Sequence, residues 1–248
     1  MDFTTNKEKL EEKLLKAKTT DNVDLNALYE HGHSELSLQQ SKRDQIITLY
    51  IALFSLIIPF AFSVEKMSYL GKGMIFLSIG IIGVLFSLII IRYRIYKEAY
   101  WLGCQTLTLL MGYEKSVLCK EVVQEKYKEC FMKKGKKYIK QKNGEKRFNY
   151  RKFIKNNLFS AETLHYVILS FITSIISGLA VGISFYYFKA VTLISVLIGT
   201  GYGIILFILL VRSYFKQLIT AYKFVVDEND NSFNMLFGKT WFLHFYSE

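Results

Sequence analysis

Ser170-Phe171-Ile172-Thr173-Ser174-Ile175-Ile176-Ser177-Gly178-Leu179-Ala180-Val181-Gly182 places a small residue at every fourth position. Ser170, Ser174, Gly178 and Gly182 lie within Leu164–Phe188, a run with no charged side chain. About 20 apolar residues suffice to cross a bilayer core as a helix, so this run is long enough. The next apolar run, Val191–Val211, repeats the spacing with Ser195, Gly199 and Gly203. Lipid gives helices little reason to hide leucine, so small residues four apart mark where two backbones approach closely. Two runs joined by Lys189 and Ala190 therefore predict a tightly packed helical hairpin.

Two further charge-free runs, Ile46–Val64 and Met74–Ile91, satisfy the same length criterion. Pro59 is the single proline and falls inside the first of them, where neighbouring helices can absorb a kink. The first 45 residues are polar, so the first span is expected to act as its own insertion signal. Basic residues crowd one side of the spans. Lys42, Arg43, Arg92, Arg94, Lys97, Arg151, Lys152, Lys155, Arg212, Lys216 and Lys223 border the spans there, against Lys66, Lys72 and Lys189 on the other. The positive-inside rule then predicts both termini and the central segment in the cytoplasm of an inner-membrane protein.

The net charge of +11 is concentrated. Lys115–Lys155 holds 15 Lys and Arg against 4 Glu, and the rest of the chain balances. Within it, Lys133, Lys134, Lys136, Lys137, Lys140, Arg147 and Arg151 are candidate ligands for a polyanion or for anionic lipid. Tyr138, Phe148 and Tyr150 interleave with these cations as candidate stacking platforms for a nucleic acid or a nucleotide messenger. A protein partner would suit the same charges, as would a simple topology signal. Gly135 and Asn143-Gly144 predict a loop or hairpin here, and Ser160-Ala161-Glu162-Thr163 predicts the restart of a helix.

Signals for catalysis are missing. The sequence lacks phosphate-binding glycine loops, a His-Glu-x-x-His pair and a Gly-x-Ser-x-Gly elbow. The spans contain no Asp, Glu, Lys or Arg, which lowers the case for a coupled transporter. Cys104, Cys119 and Cys130 have no metal-ligand spacing, and His31 and His33 point apart on a helix. A non-enzymatic protein without cofactor or metal is expected.

Arg92-Tyr93-Arg94-Ile95-Tyr96-Lys97 follows the first pair of spans, a mixture suited to the headgroup layer. With this feature, the paired hairpins resemble the small multi-span membrane effectors of bacterial anti-phage defence systems. The resemblance implies assembly in the inner membrane and a breach of its barrier on a cytoplasmic signal. It assigns no residue a role.

The expected fold is an all-α polytopic protein with four transmembrane helices in two hairpins. Its divisions are amphipathic cytoplasmic helices over 1–44, hairpin one over 45–92, a basic helical segment over 93–163, hairpin two over 164–212, and an aromatic cytoplasmic tail over 213–248. The expected partners are the bilayer, further copies of the chain, and a cytoplasmic signalling molecule at the basic segment. The expected function is a homo-oligomeric effector that perturbs the membrane or forms a pore. The alternative is a scaffold that holds a protein or nucleic acid at the bilayer.

Overall fold

A computed structural model describes residues 25–64, 67–112, 120–142, 145–189 and 191–222. Residues 1–24 of the expected amphipathic segment and 223–248 of the expected aromatic tail lie outside these residues, as does Cys119. The described chain is mostly helical: α1 (Leu25–Ser63), α2 (Tyr69–Leu110), α3 (Lys120–Gly135), α4 (Tyr150–Leu158), α5 (Ala161–Lys189) and α6 (Thr192–Thr220). A short antiparallel hairpin, β1 (Ile139–Lys142) and β2 (Glu145–Phe148), lies between α3 and α4. The all-α expectation is corrected at this point. Apolar Ile139 and Phe148 sit opposite each other at the base of the hairpin, and Phe148 is buried.

Four helices, α1, α2, α5 and α6, are long and apolar enough to cross a membrane, which suggests a membrane protein. α1 is one unbroken helix of 39 residues. α2 begins at Tyr69, where the Ser68 hydroxyl accepts a hydrogen bond from the Gly71 amide at 3.1 Å. It runs 42 residues past Gly103 and closes at Leu110 into a turn at Gly112. α4 has no counterpart in the sequence reading. Asn149 caps it by accepting from the Lys152 amide at 3.1 Å. Ser160 then caps α5 by accepting from the Thr163 amide at 3.3 Å.

The chain forms two compact units. Unit one comprises residues 1–39, 95–148 and 221–248, and unit two comprises residues 40–94 and 149–220. The described core of unit one is aromatic. Phe131 stacks on Tyr222 at 5.4 Å, and Tyr138 meets Tyr222 edge-on at 6.0 Å and Phe148 at 6.1 Å.

Unit two is built around α5, antiparallel to both α2 and α6. Near the start of α5 Glu162 pairs with Arg94 of α2 at 3.5 Å, and near its end Tyr186 meets Tyr69 of α2 at 5.2 Å. Tyr166 stacks on Tyr214 at 4.4 Å and donates to the Leu210 carbonyl at 3.0 Å, while Thr163 and Tyr214 share a hydroxyl bond at 3.0 Å. The helices at the edges are barely covered. The most apolar stretch of α1 is 11% buried and that of α6 is 22% buried, against 44% for α5.

Candidate functional site

The small residues of α5 and α6 meet along one seam at backbone distance. A Cβ built on Gly199 would stand 2.6 Å from the Gly178 carbonyl oxygen and 3.1 Å from the Gly182 Cα. One on Gly178 would stand 2.7 Å from the Gly199 oxygen, and one on Gly203 would stand 2.9 Å from the Ser174 oxygen. Gly182 faces the Ser195 oxygen at 3.1 Å on the same measure. Only glycine permits such an approach. The hydroxyls of Ser174 and Ser195 turn back to their own helices, donating to the Ser170 and Val191 carbonyls at 2.7 Å each. Ser170 itself is fully buried.

A second seam joins α5 to α2. Another side of α5 sets Ser184, Ser177 and Thr173 into notches that Gly73, Gly80 and Gly83 leave on α2. At Gly83 the notch also receives the Tyr50 hydroxyl of α1, which points towards the Ile79 carbonyl at 3.4 Å. Gly73, Gly80 and Gly83 share one helical stripe, which the spacing of the sequence does not by itself pair with α5. Hydroxyls set in apolar surroundings must find partners, and glycine notches bring them within reach of backbone and of each other.

An open apolar groove of about 530 Å³ runs along the α5–α6 seam. Gly178, Gly182, Gly199 and Gly203 line it together with Phe171 and Phe207.

The cations of the basic segment divide into three groups. Lys133, Lys136, Lys137, Lys140 and Arg147 are exposed in unit one, and the hairpin sets Lys140 directly opposite Arg147. Lys134 is different. Its ammonium pairs with the buried Glu98 and lies 3.8 Å above the Trp101 ring, so it joins α3 to α2. Arg151 belongs to α4, in the other unit.

The expected stacking surface is corrected for two of its three rings. Tyr138 and Phe148 are buried in the aromatic core of unit one, because the hairpin needs them to close on Tyr222. Tyr150 is exposed, on α4.

Cys130 is buried, and desolvation pushes its thiol up from the ordinary value. His33 Nε2 lies 3.0 Å from the Tyr29 hydroxyl one turn away. Among the described residues, no three His, Cys, Asp or Glu side chains group closely enough to hold a metal. No protein-family model, curated protein or solved structure matches this chain.

Proposed function

We propose that this chain is a polytopic inner-membrane protein that acts by self-assembly in the bilayer rather than by catalysis. In this reading α1, α2, α5 and α6 span the membrane, and the segments of unit one and both termini lie in the cytoplasm. Assembled copies perturb the membrane or open a pore when a cytoplasmic signal reaches the basic hairpin, in the manner of an anti-phage effector. The observation that supports it is the pair of uncovered edge helices, α1 and α6. They offer long apolar faces to lipid or to further copies, while the hydroxyls of Ser174, Ser195, Thr173 and Ser177 are taken up inside the helix seams. Four helices, three of them joined at glycine contacts, leave little room for water, so a breach would need several copies.

The test is inducible production in cells carrying a potential-sensitive dye, with purified protein in dye-loaded liposomes alongside. Depolarisation and leak that rise steeply with protein density support the effector. Intact membranes at every density overturn it. The exposed Lys136, Lys137, Lys140 and Arg147 favour a second reading, a scaffold that holds a cytoplasmic protein or nucleic acid against the bilayer. A scaffold leaves the barrier intact and loses its partner when those four cations are neutralised.

A further inference from the structure

The nine-residue helix α4, Tyr150-Arg151-Lys152-Phe153-Ile154-Lys155-Asn156-Asn157-Leu158, contains no acidic residue and has two unlike sides. Phe153 is 1% exposed, and Ile154, Asn157 and Leu158 are half-covered within unit two. Asn157 donates to the Phe153 carbonyl at 2.9 Å and completes that inner side. The outer side presents Arg151, Lys152 and Lys155, all exposed. Phe159 ends the helix at 77% exposure, the highest value among the large apolar side chains described.

The position of α4 in unit two gives this pattern a meaning. Ser160 caps α5 immediately after Phe159, and Glu162 in the first turn of α5 reaches Arg94, three residues beyond the apolar run of α2. α4 therefore joins the bundle where two apolar runs end together. At that depth a bilayer offers phosphates over an acyl boundary, the setting in which Arg, Lys and aromatic rings gather. Left in water, three adjacent cations would repel one another and Phe159 would stay hydrated. Against headgroups, the cations find counter-charge and the ring finds hydrocarbon.

We propose that the outer face of α4 is a binding surface for anionic lipid headgroups, with Arg151, Lys152 and Lys155 meeting the phosphates and Phe159 entering the acyl boundary. The surface rests on the membrane-spanning reading above and adds to it a lipid preference that neither an effector nor a scaffold requires.

The test uses the full chain in nanodiscs of phosphatidylcholine alone or of equimolar phosphatidylcholine and phosphatidylglycerol, with retained lipid counted by native mass spectrometry. Wild type retains phosphatidylglycerol preferentially. The triple variant Arg151→Gln, Lys152→Gln, Lys155→Gln loses at least about tenfold of that preference, since each cation near the surface is worth roughly fivefold, about 1 kcal/mol. The triple variant Lys136→Gln, Lys137→Gln, Lys140→Gln keeps it. In a separate arm, Phe159→Trp adds fluorescence that bromine-labelled acyl chains quench and aqueous iodide does not.

An unchanged preference in the α4 variant overturns the proposal, as does an iodide-quenched residue 159. A preference abolished by a duplex oligonucleotide that displaces the lipid also overturns it. Release of wild-type protein from membranes by alkaline carbonate would instead sink the membrane-spanning reading, and this surface with it.

Discussion

Among single residues, the contrast between neighbouring glycines on α6 is the most informative. Gly199 faces backbone on α5, while a Cβ on Gly201 would meet nothing within 4 Å. Gly199→Ala therefore forces the helices apart at a rigid carbonyl, with an expected loss of roughly 1–3 kcal/mol. Gly201→Ala removes only the helix cost of glycine, and a gain of about 0.5–1 kcal/mol is expected. Thermal unfolding in detergent reads both. Equal melting temperatures for the two variants would mean that the seam does not hold the hairpin.

Lys134 and its neighbours make a second contrast. Lys134→Met removes one charged hydrogen bond from the buried carboxylate of Glu98, with an expected cost of roughly 1.5–3 kcal/mol. Lys140→Met alters an exposed hairpin position, and its effect stays within about 0.5 kcal/mol. Proteolysis of residues 95–148 should accelerate only in the first variant. Equal rates would return Lys134 to the set of ligand lysines.

At the scale of elements, α3 carries a thiol that reports on its own packing. Burial raises the Cys130 pKa above its ordinary 9.0, so the folded protein holds that proton more tightly than the unfolded chain does. The associated stability is fully present below the unfolded pKa and is lost as pH rises through the higher folded value. Alkylation of Cys130 should accordingly stay slow through neutral pH and rise only in strong alkali. Fast labelling at pH 7 would show that α3 leaves its place.

The same elements mark what was legible in the sequence. The apolar runs gave all four long helices, because a charge-free run that long has few other fates. The α5–α6 seam was written in a period of four that both helices share. α4 was hidden: its apolar positions Phe153, Ile154 and Leu158 are few, and lysines masked the stripe. The fates of Tyr138 and Lys134 depended on partners 36 or more residues away along the chain, Tyr222 and Glu98, which local spacing does not contain. Phe148 packs on Tyr138 and is buried with it, so by spacing alone both rings read as ligand-facing.

For the whole molecule, the proposed topology makes a simple demand. Single cysteines placed at Lys140, Lys66 and Lys189 in a chain without its native thiols should label from opposite sides. Position 140 reacts only after the membrane is permeabilised, and positions 66 and 189 react in intact cells. Labelling of 140 from outside would invert the arrangement and remove the cytoplasmic signal from the functional proposal.

The place of α5 between two glycine-lined neighbours also bears on how the protein is made. Its hydroxyls, Thr173, Ser177 and Ser184, fit notches on a helix that precedes it in the chain, and its glycines fit one that follows. In the proposed topology α2 is already in the membrane when α5 arrives during synthesis, so those hydroxyls have seats waiting. The turn to α6 is two residues long, and the open side is closed almost at once. Biogenesis would then run in one direction, and a chain missing its first hairpin should leave α5 to the quality-control proteases of the membrane.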